Sequence, residues 1–202
     1  MRIFFCVALF VAFLHAGRAQ EVQHDKDFLL NYYEQTLENL ENAVENLSEK
    51  QLQFKPGPDK WSVSQCLEHI VLSEKMLLDF VKKSMSQDPA PERKAEVKIT
   101  DEGLIKGMTD RSFKAQAPNE MAPKEKGIYK TAAKALDDLR TQRQEILDYL
   151  NDISLEEMRD RISDSPFGPV DGFHSFLYIP AHTARHTLQI EEIKNAKGFP
   201  TK

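Results

Sequence analysis

Two histidines lie one helical turn apart near the end of the chain, His182 and His186 in "IPAHTARHTLQIEEIK". Side chains at i and i+4 share a helix face, with Cβ atoms about 6 Å apart. From that spacing two imidazole nitrogens can reach one metal ion at about 2.0–2.1 Å. Ile179, Ile190 and Ile193 fall on the same stripe, so both rings should face inward. A charged imidazolium against a core is costly unless paired. A metal removes that cost because it takes the neutral ring and satisfies one of its nitrogens. A third candidate, His69 in "KWSVSQCLEHIVLSE", sits on a second apolar helix face, one turn after Cys66 and beside Ile70. Three histidines with an open fourth position are the arrangement for metal-activated water. Spacing alone leaves open the other reading, three buried structural histidines, because nothing in the sequence links His69 to the later pair. Of the remaining histidines, His24 is expected in a frayed, solvated N-terminus, and His174 at the start of the last helix, stacking or capping there.

The elements that must carry these residues are legible as four amphipathic stretches. Residues 26–47 place Phe28, Leu29, Tyr32, Tyr33, Thr36, Leu37, Leu40, Val44 and Leu47 in a three-four rhythm. Pro56, Gly57 and Pro58 then interrupt the chain. A second helix starts at Ser62, where Gln65 completes a capping box, and its apolar face reads Cys66, Ile70, Met76, Leu77 and Phe80. Residues 86–125 are rich in proline and charge, with a short helix expected over 99–108. A connection of that length inside one domain is usually a lid or a wrapped crossover. A third helix is expected over 128–150. Ser154 and Glu157 form another capping box before a short helix, and "SDSPFGPVDG" reads as loop. The fourth helix runs from near Gly172 to before Gly198, with Pro180 kinking it or marking its early part. Two short connections and one long crossover describe an all-α four-helix bundle.

The chain has 202 residues, 8 glycines and a net charge of −5, the size of one domain with a single sizeable core. An acidic balance argues against a nucleic-acid binder, which would present a basic face. Residues 1–19, "MRIFFCVALFVAFLHAGRA", have an early Arg, an apolar run over 3–14 and small residues before a cleavage point after Ala19. This is the pattern of a secretory signal peptide, and the run is short for a membrane span. The expected organisation is therefore a signal peptide over 1–19 and a domain over 20–202, exported to a bacterial periplasm or envelope, with no stable membrane insertion after signal removal. Of the two cysteines, Cys6 leaves with the signal, and Cys66 alone cannot form an intramolecular disulfide. It reads as a small buried hydrophobe. Trp61, before the cap, reads as an anchor for the helix entry, and Phe173, Phe176 and Tyr178 as core.

Two motifs together resemble a known family. Trp61, Ser62, Leu67, His69 and Ile70, followed by His182, Arg185, His186, Gln189 and Ile190, are similar to the paired motifs of the DinB/YfiT-like metalloenzyme superfamily, specifically its DinB-like domain. The segment "DRSFKAQAPNEMAPK" also resembles the crossover found there. The resemblance covers nearly all of the chain after the signal. It implies a four-helix bundle of up-down-down-up character and a divalent metal, nickel or zinc, held by His69, His182 and His186. It also implies frequent homodimers, and chemistry such as thiol-dependent transfer on a small-molecule substrate. Arg185 would anchor a carboxylate of substrate or form a structural salt bridge with a neighbouring helix, and Gln189 would hydrogen-bond a ligand ring or cap a buried group. Glu68 should point away from the site. The expected protein is an exported metal-dependent hydrolase or transferase with an open coordination position, or, alternatively, a non-catalytic metal- or ligand-binding bundle.

Overall fold

The computed structural model describes residues 24–113, 117–165 and 168–201. The expected signal peptide over 1–19 lies outside them. Four long helices dominate: α1 (Lys26–Val44), α3 (Val63–Met85), α5 (Ala132–Asn151) and α7 (Gly172–Lys194). Shorter ones fill the connections: α2 (Glu49–Leu52), α4 (Asp101–Thr109) and α6 (Leu155–Asp160). The starts follow from local chemistry. Ser62 and Ser154 accept from the backbone N–H three residues on, and Gln65 and Glu157 return the bond to the cap residue. The third long helix begins at Ala132, not 128, because Thr131 takes the capping position. The stretch read as loop is instead a hairpin, β1 (Ile162–Ser165) antiparallel to β2 (Gly168–Asp171), with Ile162 opposite Asp171 and Ser165 opposite Gly168. Its turn carries Gly168 at φ 103°, a conformation glycine adopts without a Cβ penalty.

Contacts between the long helices set their directions. Tyr33 pairs with Phe176 and Ala43 with Lys194, so α1 and α7 run parallel. Ser64 meets Tyr129, before α5, and Lys82 meets Glu145, so α3 and α5 also run parallel. Lys26 reaches the carbonyl of Asn151, which sets α5 against α1. The order is up-down-down-up. Parallel neighbours α3 and α5 cannot be joined by a tight turn, and this is the physical reason for the long crossover between Met85 and Ala132.

The buried apolar residues form two clusters, one at each end of the bundle. One gathers Leu29, Tyr33, Leu78, Val81, Ile146, Leu150, Phe173 and Phe176. The other gathers Leu40, Val44, Val63, Leu67, Ile70, Leu139, Ile190 and Ile193. Between them each long helix contributes buried polar groups: Thr36 from α1, His69, Ser73 and Glu74 from α3, Arg143 from α5, and His182, Thr183 and His186 from α7. Glu74 and Arg143 are 0% and 2% exposed. Arg143 donates to both Glu74 oxygens, to Thr36 Oγ1 and to the Tyr33 carbonyl, while Thr183 Oγ1 donates to Glu74 Oε1 at 2.7 Å. One ionic network thus touches all four long helices.

The face of α3 differs from expectation. Met76 and Phe80 are 37% and 43% exposed, while Leu78 and Val81 are buried. The buried stripe runs Cys66, Ile70, Glu74, Leu78, Val81, carried through its middle by a carboxylate that an apolar reading skips. Pro180 is accommodated inside α7. It leaves the Phe176 carbonyl, four residues back, without its helical donor, and the Tyr33 hydroxyl donates there at 2.8 Å.

Candidate metal centre

His69 comes from the second turn of α3, and His182 and His186 from successive turns of antiparallel α7. The polar layer aims them together. Ser73 and Glu74 follow His69 by about one turn, and Thr183 adjoins His182, so the Glu74–Thr183 bond fixes the rotation of both helices where the rings emerge. The three rings are buried, at 3%, 8% and 6% exposure. Their Nε2 atoms converge: His182 Nε2 lies 3.3 Å from that of His69 and 3.2 Å from that of His186. Among the described residues no carboxylate or thiol joins this group.

The outer nitrogens fix the tautomers. His69 Nδ1 lies 2.7 Å from the Met121 carbonyl, which can only accept, so this nitrogen carries the hydrogen. His186 Nδ1 donates to Gln189 Oε1 at 2.9 Å. Both rings therefore turn bare Nε2 lone pairs inward. His182 could donate from Nε2 to only one of them, and its own Nδ1 is buried without a partner. Converging lone pairs repel one another, and a cation at their focus removes the conflict. The donor set fits a divalent metal, with Met121 and Gln189 as the outer acceptors that orient ligating histidines. Electrostatics agree. Burial lowers the pKa of His69 despite the Met121 carbonyl. Burial, then His69 and Arg185, pulls His182 down to about 3. Burial and the two neighbouring rings hold His186 well below the ordinary imidazole value. All three rings are neutral at neutral pH, the form that ligates metal.

Aromatic rings wall the cluster. Trp61 packs against His69 and His186 at centroid distances of 4.9 and 6.0 Å, so it lines the site as well as anchoring the helix entry. Tyr178 stacks on His182 at 6.2 Å, while Phe173 and Phe176 are core as expected. Gln189 meets the His186 ring. Arg185 meets no carboxylate among the described residues. Its donors go to the carbonyls of Met108, Asp110 and Phe113, tying the crossover to α7. Glu68 points away and accepts from the N–H groups of Lys124 and Ile128. Cys66 is buried in the apolar cluster, and burial pushes its thiol far above the usual range.

Two histidines behave differently from the sequence reading. His24 is held: its ring stacks on Phe28 at 3.5 Å and lies 3.0 Å from the Glu102 carboxylate. His174 is part of a second buried charge cluster, about 12 Å along α7 from His182. Its Nδ1 is 2.8 Å from Asp171 and its Nε2 3.1 Å from Asp101, and Arg159 bonds both carboxylates. Burial opposes the charged ring, but the two carboxylates outweigh it and push His174 up to about 9. Burial likewise favours the neutral acids, yet His174 and Arg159 hold both below the usual carboxylate range. The His174 contribution to stability is therefore complete below its unfolded value near 6.5 and lost as pH rises through 9. The aspartate contribution is complete above about pH 4 and lost on acidification. In chelator, the chain should lose up to about 3 kcal/mol between pH 6.5 and 9.5 by urea unfolding, and His174→Gln should flatten that limb. Parallel profiles for the two proteins would refute the assignment.

Comparison with known proteins places this geometry among relatives. The sequence profile described as the DinB superfamily matches residues 32–190, a span that contains all three clustered histidines. The uncharacterized protein YuaE of Bacillus subtilis (strain 168) is 24% identical over 157 residues, covering 76% of this chain and 89% of that protein. YfiT from Bacillus subtilis, described as a probable metal-dependent hydrolase with an unusual four-helix bundle topology, matches with a TM-score of 0.56 at 16% identity. That match covers 87% of this chain and 89% of YfiT, and it is a likeness of fold.

Proposed function

We propose that this chain, which belongs to the DinB superfamily, is a divalent-metal-dependent enzyme, a hydrolase in the first instance, built on His69, His182 and His186. The observation that carries the reading is the convergence of neutral Nε2 atoms, two with their Nδ1 hydrogens fixed outward. Nickel or zinc suits three imidazoles. A divalent ion held there would polarise a substrate oxygen and lower the pKa of a bound water to about 7. The chain's own part is to hold three rings neutral and rigid, to wall them with Trp61 and Tyr178, and to fasten the crossover beside them through Arg185. Cys66 is buried and protonated and Glu68 faces the crossover, so neither supplies a nucleophile at the cluster. An attacking group from solvent or from a second substrate suits this arrangement, and supports hydrolysis or transfer to an external thiol. Residues 1–19 support export, where water is the more abundant acceptor.

The purified chain should carry close to one equivalent of zinc or nickel. Screened against esters, amides, phosphoesters and thiol acceptors, it should turn over at least one class only when metal-loaded. Loading with silence across the panel would favour a non-catalytic metal-binding bundle. A chain that neither retains nor takes up metal would overturn both readings.

A further inference from the structure

Three large apolar side chains of α3 are left in the open. Leu72 is 39% exposed, and Met76 and Phe80 are close to that value. They follow one another at intervals of four residues, so they form one line along the helix. Single apolar residues on a surface are ordinary. A contiguous apolar stripe marks a place where something apolar binds.

The line begins at the candidate metal centre. Leu72, Met76 and Phe80 lie three, seven and eleven residues after His69, positions that share one helix face. At about 1.5 Å per residue, Phe80 stands about 16 Å along the helix from His69. The second helix of the cluster borders the line. His69 meets His182 and Glu74 meets Thr183, and this antiparallel register brings Tyr178 about level with Met76. Tyr178 stacks on His182 and is only partly buried. Trp61, at the entry to α3, stands against the rings on the side away from Leu72. The cluster is therefore walled toward the start of α3 and continuous with the apolar line toward its end.

We propose that the substrate of the metal centre carries an unbranched hydrocarbon chain, which lies along Leu72, Met76 and Phe80 while its polar, reacting end sits at the three histidines. This substrate class rests on the reading of His69, His182 and His186 as a metal centre. The line is long and one side chain wide, a shape that fits an extended chain better than a compact ring system. Its middle residue is a methionine, whose flexible thioether adapts to irregular apolar partners. A chain laid there covers apolar surface that the fold leaves to water, and that burial drives binding.

Calorimetric titration of the zinc-loaded full chain with acetohydroxamate, butyrohydroxamate and octanohydroxamate tests this, since the three share a metal-binding head and differ in chain length. Each added methylene should tighten binding about twofold, as for a half-buried methylene, so octanohydroxamate should bind about 50-fold more tightly than acetohydroxamate. Met76→Glu, at an exposed position, should keep the metal content and thermal midpoint but cut that ratio to below about tenfold. Met76→Leu should keep most of the ratio. Equal affinity along the series, or a wild-type ratio in Met76→Glu, would overturn the substrate class and leave the metal centre standing. A chain that neither loads zinc nor binds acetohydroxamate would remove the metal centre and the substrate class with it. Sedimentation showing a dimer that Met76→Glu dissociates would give the stripe to a second copy of the chain, and would overturn the proposal as well.

Discussion

Glu74→Ala should destabilise the protein by about 3–5 kcal/mol, the loss seen when one partner of a buried ion pair is removed. Arg143 would remain 2% exposed, with its guanidinium facing only Thr36 Oγ1 and the Tyr33 carbonyl. For a chain of this length that corresponds to a fall in melting temperature of about 10 °C or more. Desolvated charge, not lost packing, is the cause, and a second substitution separates the two. Glu74→Leu combined with Arg143→Met replaces the pair with hydrocarbon of similar bulk and should recover most of the loss. The recovered double variant should still bind metal less well than wild type, because the Glu74–Thr183 bond that holds α3 against α7 is gone. Chemical denaturation of the three variants with chelator present checks the stability claims. A single variant within about 1 kcal/mol of wild type, the common size of an unremarkable substitution, would refute the role given to the network.

His182→Ala should abolish metal binding at micromolar metal. Loss of an outer acceptor alone typically lowers metal affinity about 10–100-fold, and loss of a ligand should exceed that. The more telling comparison is of stability. A ligand present at about 1,000 times its dissociation constant stabilises the folded state by about 4 kcal/mol, so wild type should melt about 10 °C higher with zinc or nickel than in chelator. The variant should show no such shift. In chelator it should melt close to wild type, because the substitution also removes a buried Nδ1 without a partner and the crowding of three Nε2 atoms. Trp61, the only tryptophan, packs on His69 and His186, so its fluorescence should report metal in wild type and not in the variant. A variant that still saturates with one equivalent of metal would remove the three-histidine assignment.

The four helices, their caps and the inward direction of the histidines were legible because each rests on local chemistry. Ser62 with Gln65 and Ser154 with Glu157 are capping boxes in sequence and in structure. The convergence of His69 on His182 was legible through family motifs and not through spacing, since only tertiary packing joins α3 to α7. The polar layer was missed for a definite reason. Arg143 falls four residues after Leu139 and three before Ile146, and Glu74 four after Ile70 and four before Leu78, all core positions of the helical repeat. A charged residue on a core repeat is a signal for a buried partner, but reading the stripe as apolar carried the face of α3 to Met76 and Phe80 instead. The hairpin was illegible because "SDSPFGPVDG" lacks strand-like alternation. It is defined by the pairing of Ile162 with Asp171. His174 and Arg159 were passed over because their partner Asp101 lies in the crossover, remote in sequence from both.

Beside the histidines the crossover is gripped largely through its main chain. Arg185 holds the carbonyls of Met108, Asp110 and Phe113, and His69 holds that of Met121. Gln65 holds the carbonyls of Lys124 and Glu125, Glu68 the amides of Lys124 and Ile128, and Ser64 both groups of Tyr129. A backbone carbonyl is the same whichever side chain its residue carries. The segment beside the histidines therefore stores much of its contribution in spacing. Apart from side chains with partners of their own, such as Asp101 and Arg111, and Gly127, where a Cβ would run into Ser64, its residue types are free to drift, and with them the surface presented beside the histidines. Its length is not, because one residue more or fewer before Met121 would move the acceptor that orients His69. Variation between such proteins can thus accumulate around a fixed site without disturbing it, provided that the count of residues across the gap is kept.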